Sequence, residues 1–256
     1  MNYLGIPLEK PKVGVFGFTG CEGCQLQIVN MEEELLDLLS VVDPVEWREA
    51  MSETSDDFDI AIVEGSITRA EDEERLREIR AKAKFLIALG ACATTGGVNK
   101  LKNNFDLGEV REAVYGPAGA MPHLDTAPVK ALDEVVDVDY AVHGCPIDAA
   151  ELTSVVKSLL VGRTPHPPDY PVCVECKLRE NCCRFEFGEV CLGPITRAGC
   201  DARCPSNGFW CFGCRGYVPE PNVNAAREVM AEYGKSIDDL RSKMLLFGSK
   251  QEFTDA

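Results

Sequence analysis

Residues 12–24 read KVGVFGFTGCEGC. The first seven form a short apolar run of β type that breaks at Thr19-Gly20, and Cys21 and Cys24 follow at once. From Gln25 to Leu39 the pattern changes. Leu26, Ile28, Val29, Met31, Leu35, Leu36, Leu38 and Leu39 recur at near-helical spacing among acids, which predicts a helix. A strand, a turn bearing two cysteines and a helix together make the first unit of an alternating chain.

The alternation continues. Pro44–Glu49 reads as an edge strand, and Asp59–Val63 as a strand ending at Glu64-Gly65-Ser66. Glu71–Ala83 is a charged helix with Leu76 and Ile79 facing inward, and Lys84–Leu89 a buried strand stopped by Gly90. Val136–Val142 is a further strand, and Asp148–Leu160 a helix opened by an acid and stopped by Gly162. Strands separated by helices imply a mostly parallel sheet covered on both faces. The expected fold is α/β, a doubly wound, flavodoxin-like sheet.

Composition bounds the function. The chain has 256 residues, an ordinary 45% hydrophobic content and a formal charge of −16, a sign that repels phosphate backbones and argues against nucleic-acid binding. Apolar stretches such as Phe85–Leu89 fall far short of the ~18 residues of a membrane span. Met1–Lys12 carries no basic, apolar export signal, so a soluble, cytoplasmic protein is expected. Gly14, Gly17 and Gly20 are spaced G-x-x-G-x-x-G, not as a dinucleotide or P-loop motif, and cysteines stand where phosphate-binding amides are needed.

Thirteen cysteines are the unusual feature. In a reducing compartment they point to metal ligation or redox chemistry rather than disulfides. Cys21 and Cys24 follow the first strand, Cys92 follows the Lys84–Leu89 strand, and Cys145 follows the Val136–Val142 strand. Carboxyl ends of strands in an open α/β sheet share one edge, where ligands bind. Four thiolates brought to that edge, each flanked by small or turn residues, suit a [4Fe-4S] cluster. A thioredoxin-like dithiol at Cys21 and Cys24 leaves Cys92 and Cys145 unexplained. Structural zinc also accepts four thiolates, though usually in a local knuckle.

From Arg163 the composition shifts to a Pro-rich connector, RTPHPPDYP, and then to nine cysteines between positions 173 and 214. Cys173, Cys176, Cys183 and Cys191 form one spaced set; Cys200, Cys204, Cys211 and Cys214 form another. Eight ligands suit two further cubane clusters, and zinc competes more strongly here because paired C-x2-C sequences frame many zinc sites. Either Cys182 or Cys183 is then a spare neighbour. Val223–Tyr233 and Ile237–Leu246 are amphipathic helical segments. The expected division is residues 1–162 for the α/β domain and 163–256 for an irregular, cysteine-rich domain with C-terminal helices.

The motifs GCEGCQLQ (20–27), VEGSI (63–67), GACATTGG (90–97), HGCP (143–146), CVECKLRENCC (173–183), CLGPITRAGC (191–200) and CPSNGFWCFGCRG (204–216) occur in this order. Taken together, they resemble the small subunit of cytosolic [NiFe] hydrogenases, from about residue 12 to residue 216. The first half alone also resembles the cluster-carrying subunit of complex I, which lacks the second cysteine module. A non-catalytic zinc scaffold is the rival of a different class.

The resemblance implies three [4Fe-4S] clusters. Cys21, Cys24, Cys92 and Cys145 match proximal-cluster ligands, and Cys200, Cys211 and Cys214 match medial ones. Cys204 stands where membrane-associated relatives have proline, which implies a four-iron medial cluster. Cys173, Cys176, Cys183 and Cys191 match the distal set, with Cys173 in the place of a histidine and Glu180-Asn181-Cys182-Cys183 aligning Cys183 as ligand. The nickel-binding pairs of the family belong to a separate large subunit and are missing here. The implied role is an electron conduit between that subunit and a further flavin/NAD(P)-, F420- or heterodisulfide-reductase-type subunit, without the catalytic nickel site. Glu64, at a strand end on the same edge, is expected either to cap the following helix or meet solvent, or to lie at the large-subunit interface. There a buried carboxylate of raised pKa orients a basic side chain or passes protons.

Overall fold

The computed structural model describes residues 10–221 and 223–247, together with the backbone of 2–3 and 6–7, which pair as a short antiparallel bridge. Residues 1, 4, 5, 8 and 9 of the Met1–Lys12 segment lie outside the described residues. The chain divides into two compact units, Met1–His166 and Pro167–Ala256.

In the first unit the apolar runs become five strands: β1 (Lys12–Gly17), β2 (Asp43–Trp47), β3 (Ile60–Glu64), β4 (Phe85–Leu89) and β5 (Tyr140–Val142). All pair in parallel, in the order β2-β1-β3-β4-β5. This is the flavodoxin-like winding, with its switch point between β1 and β3. Both faces are apolar because side chains alternate along each strand. Val13, Val15, Ile87 and Leu89 pack on one face with Ile28, Leu152, Val155 and Leu159. Phe16, Ala61, Val63, Leu86 and Ala88 pack on the other with Leu76 and Ile79. Helices α1 (Gly23–Val29), α2 (Glu33–Val41) and α6 (Ala149–Leu160) supply the first layer, and α3 (Ala70–Lys82) the second.

Two local expectations change. The single helix predicted over 25–39 is broken at Asn30–Glu32, where Glu32 has φ 53°. The stripe Ile28, Met31, Leu35, Leu38 runs straight through the break on one core face, so spacing alone reads it as continuous. The strand predicted from Val136 starts only at Tyr140; Val136 and Val138 pack against the α3-side core from outside the ladder. Cys92 lies on a short helix, α4 (Gly90–Thr95), that follows β4 directly. A further helix, α5 (Leu107–Tyr115), is capped by Asp106, whose carboxylate accepts from the Glu109 amide at 3.0 Å.

The second unit carries α7 (Val172–Leu178), α8 (Arg203–Ser206), α9 (Val223–Glu232) and α10 (Ile237–Met244) between irregular segments. Ala226, Met230, Leu240 and Met244 of the last two helices are buried with Val172, Phe185, Leu192 and Ile195, so these helices close the core of the cysteine-rich unit itself. Cys191 and Cys211 belong to the same core. No helix of the described residues is long and apolar enough to cross a membrane.

Candidate metal centres

Strand register builds the first centre. Gly17, Glu64, Leu89 and Val142 pair in one row across β1, β3, β4 and β5. The chain leaves the sheet just beyond that row, and there stand Cys21, Cys24, Cys92 and Cys145. Backbone bonds hold the exits together: Phe18 N–H donates to Glu64 O at 2.9 Å and Ala91 N–H to Gly144 O at 2.6 Å. Burial raises the thiol pKa of Cys24, with the negative charges of Glu64 and Cys145 adding to it. Burial, then Cys145, Cys21 and Glu64, push Cys92 up to about 11. Cys145 is raised by burial, Cys21 and Glu64. Cys145 is the common neighbour: its charge acts on Cys24 and Cys92, and that of Cys21 acts on it, which gathers the four predicted residues at one edge.

Glu64 is only 3% exposed, and its carboxylate is fully engaged. Oε1 accepts from Cys24 N–H at 3.0 Å and Oε2 from Gln25 N–H at 3.3 Å. Those amides are the open N-terminal donors of α1, whose own N-cap residue, Glu22, supplies no side-chain bond. The acid thus caps the helix that precedes it in sequence, with the favourable sign for a helix N-terminus. Gln25 in turn accepts from Trp47 Nε1 at 3.0 Å.

The second unit gathers Cys173, Cys176, Cys183 and Cys191. Burial, followed by the charges of Cys191, Cys176 and Cys183, pushes Cys173 up to about 12. Cys183 is half-buried against the core of this unit, whereas Cys182 is exposed. The other predicted set contains two close pairs: Cys204 is raised by burial and by Cys200, and Cys211 by burial, Cys191 and Cys214. Cys191 Sγ accepts from Cys211 N–H at 3.1 Å, so the two sets adjoin there.

Several features fit iron-sulfur clusters at these thiols. A Cβ on Gly90 would run into Cys24 Sγ, and one on Gly97 would lie 2.9 Å from Cys92 Sγ. A Cβ on Gly193 would lie 3.2 Å from Cys173 Sγ and 3.5 Å from Cys191 Sγ. Side-chain-free backbone at the sulfurs leaves room for an inorganic core. Trp210 Nε1, beside Cys211, is buried without a hydrogen-bond partner among the described residues, a donor suited to a cluster sulfur. Among the described residues, no three His, Cys, Asp or Glu side chains are grouped to hold a single metal ion. At the sheet edge and around Cys173 the thiols stand in looser groups, and a cubane presents a separate iron corner to each sulfur.

Sequence reasoning missed the residues that brace these centres. Asn99 Nδ2 lies 3.9 Å from Cys92 Sγ, and Asn181 Nδ2 lies 3.7 Å from Cys176 Sγ. Glu175 accepts from Gly199 N–H at 2.6 Å and Ala202 N–H at 3.0 Å. Arg215 is 1% exposed, and its Nε donates to Ala198 O at 2.8 Å. Proximity of Asn181 to a cysteine pair was visible in the sequence; the contacts themselves depend on folding.

Known proteins are similar to this chain. The family described as NADH ubiquinone oxidoreductase, 20 Kd subunit, matches residues 21–159. Sulfhydrogenase 2 subunit delta of Pyrococcus furiosus is 40% identical over 223 residues, covering 86% of this chain and 92% of its own. A subunit of the F420-non-reducing hydrogenase of Methanothermobacter marburgensis is 33% identical, over 87% of this chain and 84% of its own. A chain in the crystal structure of an H2-reduced NAD+-reducing [NiFe]-hydrogenase superposes with a TM-score of 0.56 and 31% identity, covering 62% of this chain and 96% of that one.

An α/β unit with a cysteine-lined carboxyl edge, joined to a second cysteine-rich unit, defines the class as a hydrogenase subunit. The chain belongs to the NADH ubiquinone oxidoreductase 20 Kd subunit family, alongside the sulfhydrogenase delta subunit and its counterparts in F420-non-reducing hydrogenases.

Proposed function

We propose that this chain is the electron conduit of a [NiFe] hydrogenase, relaying electrons through three [4Fe-4S] clusters. The observation that carries the reading is the convergence of Cys21, Cys24, Cys92 and Cys145 on one sheet edge from three separate strand ends. These residues hold the proximal cluster in the first unit. Cys200, Cys204, Cys211 and Cys214 hold the medial cluster, and Cys173, Cys176, Cys183 and Cys191 the distal one, both in the second unit. Burial of Cys183 against the core, with Cys182 exposed, favours Cys183 as the ligand.

When bound, each cluster supplies a one-electron carrier. The chain's own residues set its surroundings. Iron would bind these cysteines as thiolates, their protons passing to solvent, and backbone amides such as Cys211 N–H direct hydrogen bonds at the coordinating sulfur. Glu64 holds the start of α1 in place, Oε1 on the Cys24 amide and Oε2 on the Gln25 amide.

Twelve cysteines are allocated to the three clusters, so the nickel site belongs to a partner, the large subunit. Exposed Cys21 and Cys145 favour the proximal edge as its docking face. A flavin/NAD(P)-, F420- or heterodisulfide-reductase-type subunit takes electrons from, or returns them to, the distal end. Redox titration of the purified complex under H2, followed by EPR, tests this. Three cluster signals that reduce with H2 support the conduit, and a complex without H2-reducible signals from this chain contradicts it.

A further inference from the structure

Three contacts tie α7, which carries Cys173 and Cys176, and the turn that follows it to the 199–206 segment, which carries Cys200 and Cys204. Glu175 accepts the Gly199 and Ala202 amides. Arg179 Nε donates to Asp201 Oδ1 at 2.6 Å. Asn181 Nδ2 lies 3.0 Å from Ser206 Oγ, at the end of α8. Of the three, Asn181 alone also reaches a thiol, with Cys176 Sγ at 3.7 Å. Its backbone is fixed as well, because Asn181 N–H donates to Cys176 O at 3.1 Å.

A side-chain amide has two N–H donors. Here the nitrogen has two acceptors within reach, one on each segment. One hydrogen is directed at a ligand sulfur of the distal set; the other is anchored two residues beyond Cys204 of the medial set. Serine holds the amide in the orientation that points its second hydrogen at sulfur. A hydrogen bond to a cluster sulfur stabilises the reduced, more negative state and so raises the reduction potential.

We propose that Asn181 is a positioning residue that raises the potential of the distal cluster through Cys176, while Ser206 locks it against the segment carrying Cys204. The proposal rests on the cluster reading above. A raised distal potential favours electron flow outward from the medial cluster during H2 oxidation and opposes the return.

The test uses the full chain in its complex, with iron content and EPR-monitored redox titration as readouts. The distal signal is identified as the one lost in Cys176→Ser. Asn181→Leu should keep the iron content of the wild type and shift the distal midpoint to a more negative potential, leaving the medial midpoint unmoved. Ser206→Ala should shift it in the same direction by less. Full iron with an unchanged distal midpoint in Asn181→Leu overturns the proposal and leaves the cluster reading intact. If Asn181→Leu fails to assemble, an unchanged midpoint in Ser206→Ala overturns it instead. Wild-type protein without iron overturns the cluster reading itself.

Discussion

Glu64 and Cys24 meet where the sheet hands the chain to its first helix: Glu64 Oε1 accepts the Cys24 amide at 3.0 Å, across forty residues of sequence. The contact joins the end of β3 to the start of α1 on either side of the switch point. It sets the backbone of one candidate ligand from a neighbouring strand. A cluster bound at this edge is thus held by the sheet as well as by its thiolates.

Glu64→Gln keeps the shape but offers one acceptor oxygen to two amides. Loss of a charge-assisted cap should cost about 1–2 kcal/mol of stability. A lower denaturation midpoint with iron content retained is expected. The pH profile of H2 turnover separates capping from proton transfer. An unchanged profile supports the cap, whereas a loss that grows with pH assigns Glu64 to a proton path.

Cys92→Ser should remove one corner of the proximal cluster. Iron should fall by about four per chain, and H2-driven reduction of the redox partner should be abolished. Wild-type activity with an intact cluster spectrum would refute the assignment.

Cys182→Ser and Cys183→Ser should differ sharply, although the residues are adjacent. The exposed Cys182 should be replaceable, while loss of Cys183 should remove the distal EPR signal. Equal effects would mean that the two exchange as ligands.

Asp59 gives a pH dependence remote from the centres. Partial burial opposes its ionisation, but hydrogen bonds from Lys84 Nζ at 2.7 Å and the Lys12 amide at 3.0 Å outweigh this and hold its pKa below the usual carboxylate range. Its contribution to stability is therefore present above the unfolded value of about 3.9 and lost as pH falls through the lower folded value. Denaturation midpoints of wild type and Asp59→Asn should differ at pH 7 and converge in acid. A gap that widens in acid contradicts the sign.

Strands and their cysteines were legible in the sequence because apolar runs and the turns that end them are local. A parallel sheet covered on both faces followed from the β-α alternation, but its strand order and the row Gly17, Glu64, Leu89, Val142 depend on pairing between distant segments. The break at Asn30–Glu32 was hidden because the buried stripe continues across it. Glu64 was recognised as a capping candidate, yet the helix it caps lies upstream and is reached only through the fold. Asn181 stands beside a cysteine pair in the sequence, but its role and that of Glu175 could not be read there: their partners are a thiol, a hydroxyl and two amides set by the fold. Adjacent Cys182 and Cys183 satisfy nearly the same spacing, and burial tells them apart.

Metal analysis of the anaerobically purified chain tests the central claim most directly. Three cubane clusters predict a brown protein with a broad charge-transfer band and about twelve irons, matched by labile sulfide. A colourless protein that carries zinc and no sulfide would contradict the conduit and return the cysteines to a structural role.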